Sequence, residues 1–230
     1  MYRWKIDLHT HTRHSRDALL HPAELVARAR AAGFDRIAVT DHNTIAGAHE
    51  AAAIDAELVI MGEEIDCAGG AHLIGLFLTE TIPPHRSIEE TAERIRDQGG
   101  LVYAPHPFAY LKSARERARR VIAVADVVEV HNARAFAPAW NRRAATAAAE
   151  AGLPVAAGSD SHFAHEIGGA FTEIAPFTDA AAFRTVLSGA RPAAVRAALP
   201  FVHAASLSVH LARRLTGTLA VPPHPIPQAR

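Results

Sequence analysis

Short apolar runs alternate with helical stretches along this chain, and most of the runs end in a histidine or a carboxylate. Trp4 to Leu8 leads to His9-Thr10-His11, and Arg36 to Thr40 leads to Asp41-His42. Glu57 to Met61 delivers Gly62-Glu63-Glu64, and Leu101 to Ala104 runs into Pro105-His106-Pro107. Asp126 to Val130 ends at His131-Asn132, and Val155 to Ala157 carries Gly158-Ser159-Asp160-Ser161-His162. Strands that alternate with helices imply a parallel sheet with helices on its faces. An open sheet would spread these polar ends along a line. A closed barrel gathers the C-terminal ends of its strands on one rim, so convergence favours closure. About seven strands are expected on this pattern.

Local signals mark the helices between them. Pro22 suits a first turn and Gly33 a stop. Ser87-Ile88-Glu89-Glu90 reads as a capping box, and Gly152 ends an alanine-rich helix from Pro138 to Ala151. Thr44 to Ala53, Lys112 to Ala123 and Asp179 to Leu187 supply further helices. His72 to Leu78 reads as a strand paired with the third, and Phe171 to Ile174 as the last strand. The expected division is a barrel over residues 1–195, then residues 196–230 with a helix from Val202 to Leu215 and a Pro-rich tail from Val221. That tail is expected to be extended or disordered.

Composition removes several function classes. The 24 basic and 24 acidic residues cancel, so there is no bulk electrostatic case for long nucleic acid or a membrane. No apolar run approaches the roughly 20 residues of a membrane span, and the N-terminus lacks a signal-peptide core. The single cysteine, Cys67, excludes an intramolecular disulfide and fits a reducing compartment, so a cytoplasmic address is expected. The conspicuous number is 15 histidines, several of them beside Asp or Glu at the ends of apolar runs.

His9 and His11 lie at i and i+2, so a strand points both to one side, where they can reach one metal ion. Neutral imidazole suits zinc, iron or manganese. Taken in order, H-x-H, D-H, G-x-E, P-H-P, V-H-N and S-D-S-H form a set that resembles the PHP (polymerase and histidinol phosphatase) family over roughly residues 4 to 190. The stretches "DLHTHTRHSRDALL" and "TDHNTIAG" look most like its stand-alone bacterial phosphoesterases. The resemblance implies a distorted (β/α)7 TIM-like barrel with two or three divalent metal ions. It implies that His9, His11, Glu64 and Asp160 hold a first metal. Glu64, His106 and His131 would hold a second, and Asp17, His42 and His162 a third. Asp17 stands where some relatives use a histidine, which bears on how firmly a third ion sits.

The reaction expected is hydrolysis of a small phosphate ester, such as a nucleotide or sugar phosphate, by a hydroxide bridging the first two metals. Glu64, Asp160 and His162 are the expected catalytic groups, the last two as proton carriers. Arg134, Lys112, His72 and Arg16 are expected to meet the substrate, because guanidinium and ammonium groups suit phosphate. Asp7 and Asp41 are expected to fix histidine rings, and Glu63 to face solvent or a salt bridge. Ser15, His203 and His210 are given capping, surface or packing roles. Two rival readings are a nuclease acting on short oligonucleotides and a non-catalytic, metal-stabilised domain that binds a partner through its basic helix. No phosphate-binding Gly-rich loop is present, which excludes a P-loop nucleotide hydrolase.

Overall fold

The structure, a computed structural model, describes residues 2–109, 114–135, 137–194, 196–198 and 201–216. Lys112 and the Pro-rich tail lie outside the described residues. Nine strands form one sheet: β1 (Trp4–Thr10), β2 (Arg36–Val39), β3 (Val59–Cys67), β4 (Ala71–Leu76), β5 (Leu101–Ala104), β6 (Val127–Asn132), β7 (Val155–Gly158), β8 (Ala170–Ile174) and β9 (Arg191–Ala194). Their spatial order is β7-β6-β5-β4-β3-β2-β1-β8-β9. Among the described residues seven α-helices flank it: α1 (Pro22–Ala31), α2 (Ala46–Ala52), α3 (Ile88–Asp97), α4 (Ala114–Val124), α5 (Pro138–Ala151), α6 (Ala180–Val186) and α7 (Val202–Thr216). The architecture is the expected α/β fold, a distorted TIM-like barrel.

Two departures from a purely parallel sheet have local causes. β4 pairs antiparallel with both β3 and β5. Only Ala68, Gly69 and Gly70 join β3 to β4, too short a link for a parallel crossover, and both glycines have positive φ. At the other edge β8 pairs antiparallel with β1, and β9, which the sequence pattern did not mark, pairs antiparallel with β8.

The barrel closes at its functional end. There the chain beyond β7 meets β1: Asp160 N–H donates to His9 O at 2.8 Å, and His11 N–H to Ser161 O at 2.8 Å. Lower down β8 fills the seam, where the Thr172 hydroxyl takes the Ala157 N–H at 2.8 Å and donates to the Ala157 carbonyl at 3.1 Å. One apolar cluster, including Ile6, Leu8, Ile60, Ile74, Tyr103 and Val127, packs inside the sheet. Others seat helices outside, as Leu25 and Ala29 of α1 against Ile37 and Val39. Burial of this extent holds the strand ends rigidly.

α7 lies on the barrel. The Arg134 Nη2 donates to Val202 O at 3.0 Å and to Ser206 Oγ at 2.9 Å, and Arg213 donates to the carbonyls of Ser15 and Ala18. The helix is thereby clamped at both ends beside the rim.

Candidate metal centre

Every strand end that carries a chemical motif reaches this rim. β1 has a register irregularity between Asp7 and Thr10, so Leu8 packs in the interior while the next residue, His9, also turns inward to Glu129. His106 and Asp160 follow β5 and β7 with φ of 24° and 54°, sparsely populated conformations that the surrounding fold imposes. Gly158 leaves no room for a side chain: a Cβ there would stand 2.5 Å from His9 Cβ and 2.6 Å from Glu129 Oε1.

The rings of His9 and His11 have defined tautomers. His9 Nδ1 lies 3.1 Å from the Glu129 carboxylate, an acceptor, so Nδ1 carries the proton and Nε2 presents a lone pair. His11 Nδ1 lies 3.0 Å from Ser15 Oγ, whose own proton goes to Asp41 Oδ1 at 2.8 Å. His11 Nδ1 therefore donates and its Nε2 is again a lone pair. The two Nε2 atoms are 3.1 Å apart, each is 3.3 Å from Glu64 Oε2, and Asp160 Oδ1 is 3.5 Å from one and 3.3 Å from the other. With both rings neutral, four acceptors would converge with no donor among them, an arrangement that a cation, or in its place a proton, relieves.

The second Glu64 oxygen faces other imidazoles. Oε1 is 3.0 Å from His72 Nδ1 and 3.3 Å from His106 Nε2. A third group combines His11, His42 and His162, with Asp17 Oδ2 3.3 Å from His162 Nε2 and 3.8 Å from His42 Nε2. Asp17 Oδ1, His42 Nδ1 and Glu64 Oε1 are buried without aligned hydrogen bonds. Buried polar atoms are rarely left so, and three together beside converging lone pairs fit divalent cations. The donor set is oxygen and nitrogen with no thiolate, compatible with zinc, manganese or iron.

Electrostatics agree. Burial alone would raise the Glu64 and Asp160 carboxyls, yet the imidazoles around them hold both well below the ordinary range. Burial opposes charge on His11, but its bonds to Asp160 and Glu64 carry its pKa up to about 9. His42 is pushed down to about 3, chiefly by burial. The buried carboxylates Glu64 and Asp160 thus call for positive charge beside them, which protons on the imidazoles or bound cations can supply.

The expected residues thus gather with some reassignment. His72 stands with Glu64 and His106 in one potential ligand group, whereas His131 is half-buried and belongs to none of the ligand groups. β6 bulges between Glu129 and His131, so two residues there oppose one step of β7 and the inward position falls to Glu129. Arg16 lines the cavity but grips Asp66. Arg134 also lines it, 5% exposed, with its Nε 3.1 Å from Glu166 and its Nη2 on α7. Asp7 and Asp41 do not touch rings. Asp7 accepts from the N–H groups of His9 and Ser159, and Asp41 holds Thr12 and Ser15. Glu63 contacts neither solvent nor a salt-bridge partner among the described residues. It is fully buried, accepts from Ile82 N–H at 2.8 Å, and burial lifts its pKa to about 8.

The main residue that motif reading missed is Glu129. Its Oε1 accepts from His9 and from the Tyr103 hydroxyl at 3.0 Å, and its Oε2 from His106 N–H at 2.6 Å and Asn132 at 3.0 Å. The available signal was a charged residue inside the apolar run Val127-Val128-Glu129-Val130. Ser15 is the second such residue, bonded to His11, His42 N–H and Asp41.

A barrel rim with a carboxylate between two imidazole groups is what a metal-binding α/β-barrel protein presents. Residues 7–102 match the PHP domain and residues 138–191 the PHP-associated region. The chain belongs to the PHP family. It is 36% identical to an uncharacterised protein of Methanocaldococcus jannaschii over 73% of this chain and 69% of that one. It is 37% identical to a 5'-3' exoribonuclease of Haemophilus influenzae over 41% of this chain but 36% of the enzyme. Among solved structures, a two-domain protein of Bacteroides vulgatus containing a predicted PHP-like metal-dependent phosphoesterase superposes with TM-score 0.69 at 19% identity, covering 90% of this chain and 70% of that one. At that identity the likeness concerns the fold.

Proposed function

We propose that this chain is a metal-dependent phosphoesterase acting on small phosphate monoesters, such as nucleotide or sugar phosphates. One observation carries the reading: the Glu64 carboxylate lies between two imidazole groups, Oε2 toward His9 and His11 and Oε1 toward His72 and His106. A carboxylate in that position could be shared by two ions. His9, His11, Glu64 and Asp160 would hold one ion, and Glu64, His72 and His106 a second. Asp17, His42 and His162 would hold a third. Such ions supply an acidified water and offset charge on phosphoryl oxygens.

The chain's own groups do the rest. Glu129 and Ser15 keep His9 and His11 in the tautomers that present Nε2 to the centre. His162 Nδ1 lies 2.9 Å from the Asp160 carbonyl, so Nδ1 holds a proton and Nε2, 3.3 Å from the Asp17 carboxylate, is the nitrogen left to act. With a third ion bound that nitrogen would be a ligand; with two ions only it could pass a proton to a leaving oxygen.

A second reading, cleavage of short phosphodiesters, draws on one feature. A smaller cavity, lined in part by Arg117 and Val121, shares His72 and His106 with the main one, so a longer substrate could occupy both. Both readings are tested by stripping the protein with a chelator and restoring manganese or zinc, with phenyl phosphate and bis(4-nitrophenyl) phosphate as substrates. Metal-restored turnover of the monoester supports the first reading. Turnover of the diester alone supports the second, and no turnover with metal bound refutes both.

A further inference from the structure

The mechanism leaves α7 unused, although this helix lies beyond the segments that match the family and forms a wall of the same cavity. That cavity, about 280 Å³, is lined by Glu64, Asp160 and His162 of the candidate metal centre and by Ser206, Leu207 and His210 of α7. The clamps at Arg134 and Arg213 fix the helix in this position. Within the wall the groups differ. The Ser206 hydroxyl is taken by Arg134 and His203 Nε2 lies on the Arg134 carbonyl at 2.8 Å. His210 makes no hydrogen bond or ion pair among the described residues, and its Nδ1 is buried without a partner. A histidine with unused hydrogen-bonding capacity, on the wall of a charged cavity and beside the apolar side chain of Leu207, is arranged for a ligand and not for packing.

Orientation then follows from geometry. A substrate whose phosphoryl group sits among His9, Glu64 and Asp160 can direct its remaining part through this cavity, the larger of the two at the centre, along α7. We propose that His210 is a substrate-binding residue that hydrogen-bonds a hydroxyl of the leaving group, with Leu207 against its carbon skeleton. The preferred substrates are then phosphate monoesters of small polyhydroxylated alcohols, whether free sugars or the ribose of a nucleotide. The inference rests on the phosphomonoesterase reading and deepens it. α7, and not the barrel, sets the leaving-group preference.

The test compares ribose 5-phosphate with phenyl phosphate, which lacks hydroxyls, on the full chain restored with manganese. Wild type, His210→Ala and His210→Asn are measured for KM, kcat, bound metal and thermal unfolding. His210→Ala should raise KM for ribose 5-phosphate about tenfold more than KM for phenyl phosphate, the size of one lost hydrogen bond. His210→Asn, whose amide can still bond a hydroxyl, should recover part of that difference. Metal content should stay at the wild-type level. Equal losses on both esters, an Asn variant no better than Ala, or lost metal would overturn the assignment. Wild type that turns over phenyl phosphate but not ribose 5-phosphate refutes the polyol preference alone, whereas failure on both esters removes the parent reading and this one with it.

Discussion

At the scale of single residues, the centre depends on side chains that hold other side chains. Glu129 receives His9, Tyr103, His106 N–H and Asn132, four donors on one buried carboxylate. Glu129→Gln exchanges one acceptor oxygen for a donor and sets it against His9 Nδ1–H or the His106 N–H. Metal affinity should fall about 10- to 100-fold with the fold retained, as read by chelator competition and circular dichroism. Unchanged affinity would show that His9 is held in place by packing alone. Glu63 presents a different kind of stress. Its pKa is lifted to about 8 by burial, above the ordinary carboxyl value, so the folded chain binds a proton that the unfolded chain has released. Its contribution is fully present below the ordinary pKa and is lost as pH rises toward about 8. Glu63→Gln should therefore flatten the decline in stability between those limits, which amounts to on the order of 1 kcal/mol per pH unit, in urea titrations. Most of the clustered histidines were legible because they follow apolar runs in recurring motifs, whereas His131 follows such a run and stands outside the cluster. Glu129 and Ser15 were not, because their roles exist only once β6 and the β1–α1 loop meet the rim.

At the scale of elements, irregularities place the chemistry. The shift in β1, the bulge in β6 and the positive φ at His106 and Asp160 all lie within a few residues of the centre. β7 is pressed against β1 at Gly158. Gly158→Ala should destabilise by about 1–3 kcal/mol from overpacking and displace His9 and Glu129, so metal affinity should fall together with the unfolding midpoint. A variant as stable and as metal-rich as wild type would show that the seam is looser than described. The apolar runs marked eight of the nine described strands, although only about seven were expected from the alternation, and the β3–β4 pairing was also readable. β9 and the antiparallel placement of β8 were not, since nothing in a short apolar run states which edge it joins. His72 was ambiguous for the same reason: either face of β4 could have carried it.

At the scale of the whole molecule, the barrel and α7 act together through Arg134. Its side chain looked like a phosphate ligand in sequence, yet the structure commits it to Glu166, Val202 and Ser206. Arg134→Ala leaves Glu166 buried beside no countercharge and frees the N-terminal end of α7. A loss of about 3–5 kcal/mol is expected in chemical unfolding, and a cost below about 1 kcal/mol would return Arg134 to a substrate role. Docking of α7 joins residues about 70 positions apart, a distance that local pattern cannot bridge, whereas the barrel was visible because its motifs repeat at each strand end.

The central claim is that one carboxylate joins two metal-binding groups on this rim. Counting bound metal per chain in wild type and Glu64→Gln, after loading with manganese or zinc and removal of free ion, tests it most directly. Two or more ions in wild type, with most of them and of the phosphoesterase activity lost in Glu64→Gln, is the result expected. A Glu64→Gln protein that keeps the wild-type number of ions would contradict the account.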